Sequence, residues 1–199
     1  MKTLPFIASL LLSLPALAAA PDAPPRPWYR PKHLVLQTAG GMGMVAAGAG
    51  YAYAKNRVET DILLGYVPKK YAGSTLSLAS LKMLYSPFRL PVGPKFQVLP
   101  LTVGAYFSYT HGTINDEIRG QYASDYYWFS TDSRYGPLLG SRITYLAAPV
   151  AATGQPRKIS FYYELGTNDL YVASYVGNSN GGLRFSQLLT LGLGLKADF

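Results

Sequence analysis

Cysteine is absent from all 199 residues. That excludes a disulfide framework, a thiolate metal site and a lipid-modified cysteine anchor. Histidine is nearly absent too: His33 and His111 are the two copies, so a transition-metal site lacks obvious ligands. No metal and no cofactor is therefore expected. Charge is sparse, 14% of residues, although Lys and Arg outnumber Asp and Glu by 18 to 10. Beyond the N-terminal segment, no stretch reaches the roughly 18 uninterrupted apolar residues that a second membrane-crossing helix would need.

What is present begins with MKTLPFIASLLLSLPALAAA: one basic residue, a leucine-rich core and small residues at its end. This is the pattern of a secretory signal peptide. Ala16-Leu17-Ala18 supplies the cleavage site, because a cut after Ala20 would leave Pro21 next to it, so residues 1–18 are assigned as signal. Residues 19–32 hold five prolines between Pro21 and Pro31 and are expected to be an extended tether. Residues 33–199 form one domain, with no internal repeat. Export makes nucleic acid a poor partner for the basic excess, and anionic lipid headgroups a natural one.

The terminal stretch LLTLGLGLKADF sets the fold class. Leu189, Leu191, Leu193, Leu195, Ala197 and Phe199 alternate with Leu188, Thr190, Gly192, Gly194, Lys196 and Asp198, giving one apolar face and one small or charged face. A soluble protein buries such an apolar face, whereas a membrane barrel turns it to lipid. Seven further strand candidates precede it from His33 onward. Val58, Thr60, Ile62, Leu64 and Tyr66 share one face of the third strand. Ala79, Leu81, Met83 and Tyr85 share one face of the fourth, and Leu99, Leu101, Val103, Ala105, Phe107 and Tyr109 one face of the fifth. Ala47, Ala49, Tyr51 and Tyr53 alternate on the second, and Lys55-Asn56 closes a tight turn behind it.

The connectors fall into two populations. Those after strands two, four and six (AKN, SPFRLPVGPK and PVAATGQP) are short and turn-like. Those after strands five and seven are long, and THGTINDEIRGQYASDYYWFSTDSRYG and NDLYVASYVGNSNGG are read as loops. Short turns on one side, longer loops on the other, strands near ten residues and an even strand number match a bacterial barrel with both termini on the short-turn side. The Gly-rich GGMGMVAAGAG lacks the basic residue and helix of a phosphate loop and is read as a tight barrel corner.

On these residues the chain, from His33 to Phe199, resembles the small eight-stranded outer-membrane β-barrels. A terminal Phe199 on an alternating strand is similar to that family's C-terminal assembly signal. The resemblance implies an all-β, transmembrane antiparallel up-and-down barrel in the bacterial outer membrane. Its implied partners are outer-membrane lipids, lipopolysaccharide and the barrel assembly machinery.

With apolar faces outward, the inward faces carry Glu59, Asp61, Lys82, Arg142, Glu164 and Lys196, three acids and three bases. Gly104, Gly140, Gly166, Gly192 and Gly194 relieve crowding beside them. An eight-stranded barrel is just wide enough to be filled by side chains, and unpaired buried charges are costly. The equal signs predict a salt-bridged plug rather than an open pore, although a narrow ion path is the competing interpretation. Tyr66, Tyr85, Tyr109, Tyr122, Tyr126, Tyr127, Trp128, Phe129 and Tyr135 fall near strand ends or in the long loop, as membrane-interface girdles require. His33, at the start of the first strand, is expected near the periplasmic interface.

Chemistry centres on His111. It shares the outward face of the fifth strand with Thr113, a hydroxyl two residues from a potential base. This is similar to the His-x-Ser pattern of the outer-membrane lipid A deacylases. The resemblance would make Thr113 the nucleophile, His111 the base, and Asp125 or Glu117 the orienting acid. The serine is a threonine here, and Ile114 stands where that family has Asn. Three classes of function follow: a non-enzymatic outer-membrane barrel acting through structure or its external loops, which is preferred; a lipid A-modifying enzyme; and a narrow pore.

Overall fold

The computed structural model describes residues 29–113, 130, 132–149, 156–177 and 184–199. The stretch read as a signal peptide and most of the stretch read as a tether lie outside them. Nine strands form: β1 (His33–Ala39), β2 (Val45–Tyr53), β3 (Val58–Val67), β4 (Leu76–Tyr85), β5 (Leu90–Val92), β6 (Phe96–His111), β7 (Ser133–Pro149), β8 (Pro156–Gly166) and β9 (Thr190–Asp198). Every pairing is antiparallel. β1 pairs with both β2 and β9, and β4 pairs with β6, so all strands except β5 close into an eight-stranded barrel.

Closure fixes two rims. The terminal rim carries His33 and Asp198, which are cross-strand partners, together with the β2–β3 turn and the β4–β6 and β7–β8 connectors. The loop rim carries the β1–β2, β3–β4, β6–β7 and β8–β9 connectors. Lys32, just before β1, extends the sheet: its amide donates to the Gly50 carbonyl and its own carbonyl accepts from the Phe199 amide. The β2–β3 turn is tight as expected, with Ala54, Lys55 and Asn56 all at positive φ.

The alternation read from β3, β4 and β9 is realised. Glu59, Asp61 and Leu63 are buried while Ile62, Leu64 and Tyr66 are exposed, and the last strand exposes Leu191, Leu193 and Leu195. β6 departs from it. Leu99, expected outward, is buried, because β6 carries one extra residue between the pairs Leu99–Arg142 and Thr102–Gly140. Pro100 has no amide to give the ladder, and a bulge is where a strand tolerates it. Beyond the bulge the phase is as expected, with Val103, Phe107 and Tyr109 outward and Tyr106 and Ser108 inward.

Two connectors hold more structure than their composition suggests. SPFRLPVGPK contains β5, which pairs with the start of β6 and prolongs the sheet past the barrel. The segment read as the loop NDLYVASYVGNSNGG contains helix α1 (Asp169–Gly177). Asn168 Oδ1 accepts the Tyr171 amide at 2.9 Å, a helix N-cap. A one-turn helix, Lys69–Ala72, lies in the β3–β4 connector.

The tight β1–β2 connector folds inward. Gly40, Gly41 and Gly43 take positive φ, and Met42 between them is fully buried in the lumen. There it joins Val35, Ala46, Leu63, Leu84, Tyr106, Leu138 and Tyr162 in an apolar cluster. The exterior is inverted relative to a soluble fold. Leu64 is 70% exposed, Met83 57%, Ile159 53%, Leu139 50% and Phe107 47%. Among the described residues, no outward strand position between Arg157 at one rim and His111 at the other carries a charge.

Candidate functional site

All six residues assigned to the interior are buried there: Glu59 and Asp61 from β3, Lys82 from β4, Arg142 from β7, Glu164 from β8 and Lys196 from β9. The period of two brings them in, because each lies on the face opposite a run of outward apolar residues. They form one connected set. Arg142 grips Glu59 with both terminal nitrogens, at 2.8 and 2.5 Å. Lys196 Nζ lies 2.6 Å from Glu59 Oε2 and 2.7 Å from Asp61 Oδ2. Lys82 Nζ donates to both oxygens of Glu164, at 2.9 and 2.8 Å, and lies 3.9 Å from Asp61.

Gln37, Tyr162 and His33 complete the set. Gln37 Oε1 accepts from Lys82 Nζ and from the Tyr162 hydroxyl, both at 2.9 Å. The Tyr162 ring faces both ammoniums, with Lys82 Nζ 5.0 Å and Lys196 Nζ 5.6 Å from its centroid. His33 Nε2 lies 2.6 Å from Asp61 Oδ1. His33 begins the first strand, as expected, but its side chain points into the mouth of the lumen and is buried. The sequence signal was present in each case. Leu34 and Leu36 face outward, which turns His33, Val35 and Gln37 in, and Tyr162 shares the face of Glu164.

The plug is tight. A void beside it, lined by Glu59, Thr102, Arg142, Tyr162, Lys196 and their neighbours, has a volume of about 10 Å³, room for one water at most. The inward glycines have no space for a side chain. A Cβ on Gly194 would sit 2.2 Å from Tyr162 Cζ, and one on Gly140 2.2 Å from the Tyr163 carbonyl oxygen. Gly50, not singled out from sequence, leaves room for the His33–Asp61 contact: a Cβ there would lie 2.2 Å from Nε2 and 2.3 Å from Oδ1.

His33, Glu59 and Asp61 bring ligand atoms within 4.8 Å of one another, a spacing a cation can bridge. The bridging charge between the two carboxylates is instead the Lys196 ammonium.

At the loop rim, His111 is exposed at the end of β6, opposite Ser77. The Thr113 hydroxyl donates to Asp132 Oδ1 at 2.8 Å. Among the described residues His111 makes no hydrogen bond to Thr113. Asp125 and Glu117 lie outside the described residues. So do Tyr122, Tyr126, Tyr127, Trp128 and Phe129. Of the other interface aromatics, Tyr66, Tyr109 and Tyr135 stand exposed toward the loop rim and Tyr85 toward the terminal rim. Phe96 and Tyr145 add a ring pair 5.4 Å apart at the terminal rim. Phe199 is partly exposed there.

No protein-family model, curated protein or solved structure matches this chain.

Proposed function

We propose that this chain is an integral barrel of the bacterial outer membrane, sealed by its own side chains, with a structural or surface-interaction role carried by the loop-rim connectors. One observation carries the proposal. A closed barrel keeps three acids and three bases inside and shows water, or lipid, a charge-free and mostly apolar wall. Patches of more than a few hundred Å² of exposed apolar surface mark contact sites, and a wall that runs round every strand is satisfied by a bilayer. Both termini then belong on the periplasmic side and the loop rim outside, toward lipopolysaccharide. The terminal strand with Phe199 is the segment offered to the assembly machinery. The filled lumen favours this role over a pore. The Thr113–Asp132 bond, which engages the hydroxyl away from His111, favours it over a deacylase-like enzyme.

The test is to refold the purified full chain into phospholipid vesicles and follow heat-dependent gel mobility and protease protection. A compact, heat-shifted, protected band is the expected result. A chain that folds as a soluble monomer in plain buffer and ignores vesicles overturns the proposal.

A further inference from the structure

The formal net charge of +8 is not spread over the molecule. Inside, three acids and three bases cancel, His33 aside. At the loop rim, the described residues set Lys69, Lys70, Arg134 and Arg184 against Asp132 and Asp169. Among the described residues that end holds four cations against two acids. The larger excess sits on the terminal rim.

On one side of that rim, Arg30 and Lys32 precede β1, and Lys55 and Arg57 flank the β2–β3 turn. On the other, Arg89 and Lys95 flank β5, and Arg157 and Lys158 open β8. The rim's one described acidic side chain is Asp198, which is the cross-strand partner of both Lys158 and His33. The eight cations all belong to this end of the barrel, in its connectors or at the strand ends that border them. Leu146 hydrogen-bonds Lys95 and is the partner of Lys158, which is the partner of Asp198, and the Arg57 carbonyl accepts the Ser86 amide just past β4. Among the described residues none of the eight is paired with an acidic side chain; Lys32 and Arg89 donate to the neutral carbonyls of Ala52 and Asn56. Lys55 and Arg57, with Ala54 and Tyr85, line an open concavity on the outer side of the barrel. Immediately along the barrel axis come exposed Tyr53, Tyr85, Phe96 and Tyr145, and then the charge-free apolar wall.

We infer that the terminal rim is a polybasic collar that binds the phosphate headgroups of anionic phospholipids in the leaflet it meets. The order of cation, aromatic ring and aliphatic wall is the order of phosphate, interface and acyl chain in a lipid. A single unpaired lysine on a rim signifies nothing. Eight at one end, beside an apolar wall, against a single acidic side chain, select a ligand that joins an anion to a hydrocarbon tail. The inference rests on the membrane-barrel reading above.

Its test is native mass spectrometry of the detergent-refolded full chain, offered equal amounts of phosphatidylglycerol and phosphatidylcholine with the same acyl chains. Phosphatidylglycerol should be retained in about fivefold excess per bound lipid, the ratio given by about 1 kcal/mol of headgroup attraction. Added salt should erase the excess. The combined variant Lys55→Gln, Arg57→Gln, Lys95→Gln and Arg157→Gln should lose it, whereas Lys69→Gln with Lys70→Gln on the loop rim should keep it. Equal retention of both lipids by the unmodified, correctly heat-shifted barrel overturns the inference and leaves the cations to an acidic soluble partner. So does an excess that survives the combined variant. Failure of the unmodified chain to fold in any lipid or detergent overturns the barrel proposal itself, a distinct result.

Discussion

Lys196 on β9 holds Glu59 on β3 at 2.6 Å across the lumen, and the same ammonium lies 2.7 Å from Asp61. One cation thus answers two carboxylates that follow each other on the inward face of a single strand. Arg142 from β7 gives Glu59 a second cation, and Lys82, on the strand beside β3, pairs with Glu164.

Removing that cation should be costly. Lys196→Met leaves Asp61 with His33 and a distant Lys82, and breaking one partner from a buried ionic set costs about 3–5 kcal/mol. Urea unfolding in vesicles, followed by gel mobility, should show that loss. Adding Asp61→Asn leaves Glu59 with Arg142 and Glu164 with Lys82, one to one, and should recover most of it.

The sealed lumen predicts electrical silence. The unmodified barrel in a planar bilayer should show no steady conductance. Tyr162→Ala removes the ring that fills the space between Lys82 and Lys196, and should produce small, steady channels. Conductance from the unmodified protein would sink the plug as its principal feature.

The outward wall separates lipid from water directly. Leu64 is 70% exposed, so in a water-facing sheet Leu64→Arg would change stability by no more than about 0.5 kcal/mol. Facing lipid near the mid-plane, it should cost about 2–4 kcal/mol. Folding titrations of the two chains into vesicles decide between these values.

Gly194 occupies space that the Tyr162 ring needs. Gly194→Ala must push the ring off its bond to Gln37, with an expected loss of about 1–3 kcal/mol from overpacking. The neighbouring Leu195→Ala, on the outer face, leaves the Tyr162 position untouched. Unfolding midpoints of the pair, measured in the same vesicles, test whether the inward glycines are spatial requirements.

Lipid A from outer membranes carrying the protein, its His111→Ala variant or neither should be identical by mass spectrometry. An acyl chain lost or gained only with the intact protein would make it an enzyme and assign His111 a chemical role.

Which side chains enter the lumen was settled by local sequence. Strict alternation needs no partner strand to be read, so Glu59, Asp61, Lys82, Arg142, Glu164 and Lys196 were legible as an inward, charge-balanced set. The outward leucines of the last strand were legible for the same reason. Alternation fails where the backbone slips. Pro100 and the bulge beside it reversed the phase at Leu99, and that slip is set by the hydrogen bonds available from β7 rather than by any residue pattern. Tertiary structure alone decided who meets whom. Register brings Lys196 to Glu59 across 137 positions of chain and Lys82 to Glu164 across 82. It also folds Met42 into the lumen and gathers eight cations at one rim. Composition gives a sum of charges, and only the closed barrel, which assigns each connector to an end, gives that sum a place.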